Sequence, residues 1–301
     1  MSLSLIQQHI KNDSVSCTSM VITVFGDTIS QHGDWIWLSS LIKVLEPVGF
    51  NARQVRTSVY RLVQSNWLQV KKNGRCSYYS FTEFAKKHYE KAARRIYASN
   101  QPAWDQNWIL VLPVSVPEEK KEDLRKSLLW MGFNTLSTSL YAHPSSERTS
   151  LDELIQELGI CSDVIVLSAK TQDLNSQGVM KSLTKSRWQL SELEILYQNF
   201  LAFYQPLYQK IMVKLPEPSE CFLLRTTIVH DFRRILLRDP DFPDEMLPNE
   251  WVGKEVHELV KKIYNLLSKV SIEYCQQHME NVDGKIPLAR VSYFSRFGGV
   301  S

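Results

Sequence analysis

The sequence feature that most constrains this chain is a strongly basic stretch from Asn51 to Tyr97. It carries eleven Lys or Arg residues and two carboxylates, so its local net charge is +9. The whole chain of 301 residues has a net charge of only +3, and the remaining residues are therefore net acidic. Because a charge asymmetry of this size attracts a polyanion, the stretch predicts nucleic acid as a partner.

Apolar residues at helical spacing organise the first part of the chain. They predict one helix around Val21–Ile29 and a second over Leu38–Leu45, which Pro47 and Gly49 then end. Asn51 is a favourable N-cap for a third helix. Two helices, a short turn and a further helix follow one another in the order of a helix-turn-helix motif.

The third helix is predicted to place its apolar residues on one face and its basic residues on the other. It contains no acidic residue from Asn51 to Gln64, whereas a helix that is merely solvated usually mixes both signs of charge. Arginine can bind guanine, glutamine can bind adenine, and serine or threonine can reach a base or a phosphate. The candidate DNA-binding residues on its polar face and flanks are Arg53, Gln54, Arg56, Thr57, Ser58 and Arg61.

A basic hairpin is predicted to follow this helix. Asn73-Gly74 is a strong signal for a two-residue type I′ turn, and it is flanked by strand-like segments. Lys71, Lys72 and Arg75 surround the turn and complete the candidate DNA-binding set. Ser80 and Glu83 have the spacing of a capping box for another basic helix. Together these elements predict a winged helix-turn-helix domain over residues 1–98.

The middle segment, residues 103–172, alternates strand and helix patterns in the order β-α-β-β-α-β. This order predicts a ferredoxin-like split βαβ domain, which resembles the small domain of the CRISPR-associated Cas2 proteins. Those proteins hold a metal with an acidic residue at the end of the first strand, where this chain reads Leu112-Pro113-Val114-Ser115. Ser99–Pro102 is expected to be a linker and candidate hinge, and the polar residues 172–182 are expected to form a loop.

The last third, residues 180–301, is predicted to be a helical domain for effector binding or dimerisation. A dense run from Arg225 to Gly253 combines arginines, His230-Asp231, several prolines and a tryptophan. Two interpretations remain open, an Arg/Asp ion-pair network that closes a helical bundle and a pocket for anions. The candidate effector-binding residues are Arg225, His230, Arg233, Arg234, Arg238 and Trp251.

The run Arg225…His230-Asp-Phe-Arg-Arg…Asp239-Pro…Phe242-Pro…Leu247-Pro-x-x-Trp-x-Gly resembles the C-terminal signature of the PaaX family. The basic amino-terminal segment and the Cas2-like middle occur in the same order in that family. The resemblance implies a homodimeric repressor that binds double-stranded operator DNA of an aromatic-acid (phenylacetate) catabolic operon. It further implies release from DNA by an acyl-CoA effector, phenylacetyl-CoA, rather than by free phenylacetate. No cofactor is expected.

The chain is therefore expected to be a multidomain α+β DNA-binding protein and not an enzyme. It has no GxSxG, P-loop or GxGxxG motif, no CxxC pair and no histidine pair spaced for zinc, so no catalytic or metal residues are assigned. Five scattered cysteines, no signal-peptide pattern and no long apolar run favour the cytoplasm without membrane contact. The alternatives are a metal-dependent nuclease or RNA-binding protein built on the middle domain, and an acyl-CoA hydrolase using His230 and Asp231. The sequence leaves open whether the tail after Asp283, with Lys285, Arg290 and Arg296, is disordered or touches DNA.

Overall fold

A computed structural model of the chain describes residues 3–98, 104–144 and 148–300. It divides into two compact units. Unit 1 contains residues 1–99, 200–234 and 255–301, and unit 2 contains residues 100–199 and 235–254. The domain boundaries expected from the sequence, 1–98, 103–172 and 180–301, follow the order of the chain, whereas these units group segments that are distant in sequence. The expected linker Ser99–Pro102 lies outside the described residues.

The first part of unit 1 is built from helices and a small antiparallel sheet. Its helices are α1 (Leu3–Asn12), α2 (Cys17–Asp27), α3 (Leu38–Leu45), α4 (Ala52–Gln64) and α5 (Glu83–Ile96). Its strands are β1 (Ile36–Trp37), β2 (Leu68–Asn73) and β3 (Cys76–Phe81), in the order β1-β3-β2. The predicted cap at Asn51 is confirmed, since its side chain accepts the Gln54 amide and Gln54 Oε1 accepts the Asn51 amide.

Two local predictions in this region are wrong by one or two residues. Asn73 pairs with Cys76, so the two hairpin loop residues are Gly74 and Arg75 rather than Asn73 and Gly74. Gly74 has a φ of +58°, which glycine adopts without steric cost. The N-cap of α5 is Thr82, whose side chain accepts the Ala85 amide, and therefore the predicted capping box at Ser80 does not form.

The carboxyl-terminal helices are long and contribute to both units. They are α9 (Leu190–Val213), α10 (Pro218–Leu236) and α11 (Gly253–His278), and a short hairpin of β8 (Glu280–Asn281) and β9 (Gly284–Lys285) with α12 (Val291–Phe294) follows. Residues 214–217 separate α9 from α10. Residues 200–234 and 255–300 carry many of the apolar side chains in the core of unit 1.

A buried ionic cluster joins the two ends of the chain inside unit 1. Asp27 is fully buried, its Oδ2 lies 3.2 Å from Arg225 Nη2, and its Oδ1 accepts Arg296 Nη1 at 3.0 Å. The hydroxyls of Tyr97 and Tyr264 also donate to Oδ1. Burial acts to raise the pKa of Asp27, but the two guanidinium charges outweigh it and hold that pKa below its usual value. Asp27 is therefore a carboxylate in the protein interior.

The carboxyl-terminal tail belongs to unit 1, where Arg290 and Arg296 each pair with a carboxylate. Arg296 is 6% exposed, and Arg290 donates to Asp34 at 2.7 Å. The backbone amide of Arg290 donates to the carbonyl of Gln31. Lys285 differs from these two arginines: its side chain is exposed and forms no ion pair with any residue that the structure describes.

A second polar contact crosses from α1 to α10 in unit 1. His9 Nε2 lies 2.6 Å from Asp231 Oδ2, which also accepts the hydroxyl of Tyr204 at 2.6 Å. Burial acts to lower the pKa of His9, but the hydrogen bond and the charge of Asp231 raise it above its usual value. The imidazolium is thus favoured in the folded protein.

This raised pKa predicts that part of the stability of unit 1 depends on pH. A group whose pKa rises on folding contributes fully below its unfolded pKa, near 6.5, and the contribution is lost as pH rises through the folded pKa. His9→Gln is therefore expected to lower the free energy of unfolding, measured by urea denaturation, more at about pH 6 than at about pH 8. An equal loss of unfolding free energy at both pH values would contradict a raised pKa for His9 in the folded protein.

Unit 2 contains a four-stranded antiparallel sheet. Its elements are β4 (Trp108–Pro113), α6 (Glu118–Trp130), β5 (Asn134–Ser137), β6 (Leu140–His143), α7 (Arg148–Glu157) and β7 (Val164–Ala169). The strand order is β5-β6-β4-β7, the order of a split βαβ domain, so the ferredoxin-like prediction is confirmed. The core lies between one sheet face and α6 and α7, and includes Val111, Leu128 and Leu151.

The expected loop at residues 172–182 is wrong. Helix α8 spans Leu174–Arg187, and the side chain of Asp173 caps it by accepting the Ser176 amide at 2.8 Å. Thr184 is its one buried side chain among the described residues, as expected for a helix whose sequence lacks an apolar stripe. Within the described ranges, none of the helices is long and apolar enough to cross a membrane.

Candidate nucleic-acid interface

Helix α4 presents a continuous basic face to solvent. Val55, Val59 and Leu62 are buried on its inner side, where the helix packs against α2 and α3. The predicted side chains of Arg53, Arg56, Thr57 and Arg61 are exposed, as the helical phase of the apolar residues requires. Gln54 is exposed as well, so five of the six residues assigned to this helix are on its solvent side.

An exposed aromatic residue that was not assigned to the site belongs to the same face. Tyr60 is 64% exposed and lies one helical turn after Arg56. Its hydroxyl can donate to a phosphate oxygen and its ring can contact sugar or a base.

Two assigned residues have other roles. Ser58 is 6% exposed, so it lies on the inner side of α4 and its assignment to DNA binding is corrected. The Oε1 atom of Gln54 accepts the backbone amide of Asn51, and this side chain therefore caps the helix in the present arrangement.

The hairpin places a second group of cations in solvent. Lys71, Lys72 and Arg75 are exposed at or next to the Gly74-Arg75 loop. The hairpin follows α4 after three residues, and both elements belong to unit 1. The candidate DNA-binding cations of α4 and the hairpin have no carboxylate within 4 Å among the described residues. They are Arg53, Arg56, Arg61, Lys71, Lys72 and Arg75. The protein thus leaves their charge uncompensated at close range, which favours binding of an external polyanion.

The candidate effector-binding residues do not form one surface. Arg225 is fully buried between Asp27, Thr28 and Tyr293, and it cannot receive a phosphate in this arrangement. Arg233 is 7% exposed and donates to Ser19. His230 is fully buried, with Nδ1 3.0 Å from Thr23 Oγ1. These three side chains match the interpretation of a network that closes a helical bundle.

The other three candidates differ in exposure and in location. Arg234, in unit 1, and Arg238, in unit 2, are exposed. Trp251, in unit 2, is 8% exposed and lines a surface hollow. A role for any of the six in effector binding stays a prediction, and Trp251 is the candidate that lines a cavity.

The geometry of His230 and Asp231 gives no support to the hydrolase alternative. His230 contacts Thr23, whereas Asp231 contacts His9 and Tyr204, so the two side chains do not form a catalytic couple. Burial is the largest effect on His230 and lowers its pKa to about 4. The ring is therefore neutral and internal near neutral pH.

The nuclease alternative depends on the end of strand β4. Asp163, which precedes β7, accepts the hydroxyl of Ser115 at 3.0 Å, and this carboxylate was not foreseen at that position. Among the described residues, no group of three or more His, Cys, Asp or Glu side chains could hold a metal ion. One carboxylate on the protein surface gives no support to metal-dependent cleavage.

An exposed cationic helix followed by an exposed cationic hairpin is typical of a nucleic-acid-binding protein. Three family models match the chain: PaaX-like protein over residues 16–85, PaaX protein central Cas2-like domain over residues 101–180, and PaaX-like protein C-terminal domain over residues 188–277. The transcriptional repressor PaaX of Escherichia coli (strain K12) is 32% identical over 300 residues, which are 99% of this chain and 95% of that protein. The chain therefore belongs to the PaaX family of transcriptional repressors.

A solved structure supports the fold independently. The uncharacterized protein Rv0674 from Mycobacterium tuberculosis is similar over 85% of this chain and 97% of its own, with a TM-score of 0.55. Its sequence identity is 19%, so this similarity concerns the fold.

Proposed function

We propose that this protein is a cytoplasmic repressor of a phenylacetate-catabolic operon that binds duplex operator DNA through α4 and the β2-β3 hairpin. Helices α2, α3 and α4 with strands β1, β2 and β3 would then form a winged helix-turn-helix domain. Helix α4 would enter the major groove, and the hairpin would contact phosphates or the minor groove. The observation that carries the proposal is the set of exposed cations with no described carboxylate within 4 Å.

The proposal includes a homodimer and a palindromic operator. A protein with twofold symmetry places its two recognition helices about 34–36 Å apart, or a multiple of this distance, on one face of B-DNA. Two copies also double the number of phosphate contacts, which increases affinity at physiological salt.

The proposed signal is an acyl-CoA thioester, phenylacetyl-CoA. Release requires that the thioester bind the DNA-incompetent arrangement more tightly than the DNA-bound one. A coupling free energy of about 1–3 kcal/mol would weaken operator affinity about 5–150-fold.

A gel-shift titration tests the function directly. The full chain is mixed with duplex DNA from the promoter of a phenylacetate-catabolic operon of its own genome, and with a scrambled duplex at the same salt. We expect tighter binding to the promoter and release by phenylacetyl-CoA, with no release by phenylacetate or by coenzyme A. Equal binding to both duplexes would overturn the repressor proposal, and preference for an RNA duplex of the same sequence would favour the RNA-binding alternative.

A further inference from the structure

Two neighbouring hollows open on the surface of unit 2. The larger has a volume of about 430 Å³ and the smaller about 240 Å³. Lys181 and Glu245 line both, so the hollows adjoin along these two side chains. Their combined size is within the range of about 300–1,000 Å³ typical of small-molecule sites.

The smaller hollow has rigid aromatic and sulfur-containing walls. Trp104 and Trp108 meet edge to face with ring centroids 6.3 Å apart, and Met180 and Met246 complete the apolar lining. The indole N–H of Trp104 donates to the carbonyl of Pro144 at 2.6 Å, which fixes the orientation of the ring. Such walls suit a planar aromatic group, because aromatic edges and thioether sulfur both interact favourably with a ring.

The larger hollow contains two hydrogen-bond donors, Trp251 and Lys181, that have no acceptor among the residues the structure describes. Trp251 is 8% exposed, and within the described part of the chain its indole N–H has no acceptor. The Trp251 ring packs edge to face against Tyr197. Gly253 leaves space for it, since a Cβ atom at this position would lie only 2.5 Å from Trp251 Nε1. Lys181 has no carboxylate within 4 Å among the described residues, whereas Lys254 is paired with Asp244 at 2.7 Å. The N–H of this nine-tenths buried residue and the ammonium of Lys181 line the hollow together with the carboxylate of Glu245. The two donors suit an anionic, acceptor-rich group that lies on the Trp251 and Lys181 side of the hollow.

We propose that the two hollows form one ligand site, with a planar aromatic group in the smaller and an anionic, acceptor-rich part in the larger. An aromatic acyl thioester of a phosphorylated carrier has both parts. The assignment rests on the proposed function and locates the effector at Trp251 and Lys181, away from the buried Arg225, His230 and Arg233.

Helix α8 gives this site a means to report that it is occupied. It supplies Gln177, Met180 and Lys181 to the lining, yet Thr184 is its one buried side chain among the described residues. A helix with so little buried surface opens at low free-energy cost. A ligand that contacts three of its side chains therefore stabilises α8 in its present position, and hydrogen exchange of its amides slows.

Isothermal titration of the full chain with phenylacetyl-CoA, coenzyme A and phenylacetate tests the site. We expect Lys181→Gln and Trp251→Phe each to raise the Kd of the thioester about 10-fold, since each removes one donor to an anionic group. Lys185→Gln is the matched control, because Lys185 is exposed on α8 one turn later and lines neither hollow. Circular dichroism verifies folding, and hydrogen exchange of residues 174–187 is measured with and without the thioester.

The outcomes separate the site from the function. Wild-type affinity in both substituted proteins, or unchanged exchange of α8 on ligand binding, would overturn the site while the repressor proposal stands. No binding of the thioester to the wild type would also overturn the site, and the gel shift without effector would then decide the repressor proposal separately. If Lys181→Gln and Trp251→Phe weaken thioester binding but the thioester does not release promoter DNA from the wild type, the site is supported and the proposed effector response is contradicted.

Discussion

Asp27→Asn is expected to lower the free energy of unfolding by about 3–5 kcal/mol, the largest effect of any single substitution considered. The carboxylate of Asp27 neutralises two buried guanidiniums, those of Arg225 and Arg296. The amide of asparagine keeps the shape and some hydrogen bonds but leaves both positive charges without a counterion in the interior. Urea denaturation followed by far-UV circular dichroism measures the loss.

The control for this substitution is Asp34→Asn. Asp34 pairs with Arg290 at 2.7 Å, but the two side chains are 20% and 52% exposed, so the loss should be below about 1 kcal/mol. The pKa of Asp27 is lowered on folding, so its contribution is complete above the unfolded value of 3.8 and is lost only as pH falls below it. The difference in the free energy of unfolding between wild type and Asp27→Asn should therefore be constant from about pH 8 to pH 5. Equal losses for the two substitutions would refute the buried cluster as the source of stability.

Replacement of Lys71 and Lys72 by alanine is expected to weaken DNA binding about 10–100-fold. Both ammonium groups are exposed on strand β2 and, in the proposed complex, contact phosphates. Each lost phosphate contact lowers the slope of log K against log salt by about 0.9, so the slope should fall by about 2. Because phosphates carry no sequence information, the promoter and the scrambled duplex should lose affinity equally. Fluorescence anisotropy at several salt concentrations measures both quantities.

Lys121→Ala with Lys126→Ala is the matched control, since it removes the same two charges from helix α6. These lysines pair with Glu118 and Glu122 on the surface of unit 2. Their loss should leave the salt slope unchanged. Arg61→Ala provides a contrast, because a base-reading arginine contributes about 1–3 kcal/mol at its own base pair and its loss should weaken promoter binding selectively. A salt slope that falls equally in both double variants would remove the hairpin from the interface.

Local signals in the sequence were sufficient for much of the fold. Asn51 and Gln54 form the expected cap because capping involves neighbouring residues only. The ferredoxin-like order of unit 2 was likewise predictable from alternating strand and helix patterns. The hairpin was predicted, but its loop was placed one residue early, since pairing of β3 with β1 and β2 sets the register.

Features that depend on distant residues were not predictable. The partner of Arg225 lies about two hundred residues earlier in the chain, and no local pattern distinguishes a buried guanidinium from one that awaits a phosphate. Ser58 was assigned to the wrong side of α4 because a small polar residue fits either side of a helix. The ligand site of unit 2 combines α8 with residues near Trp104 and Trp251, and a polar helix with one buried side chain gives almost no periodic signal.

The attachment of Arg296 to Asp27 has a consequence for synthesis of the protein on the ribosome. These residues are 269 positions apart, so a nascent chain must be almost finished before Asp27 acquires its second cation. Folding that requires such long-range contacts is slow, because the chain loses entropy before the contacts stabilise it. Prematurely terminated translation products would contain the cations that we propose contact DNA, and would lack the Arg296 guanidinium that pairs with the buried Asp27. We expect such products to be less stable than the complete protein.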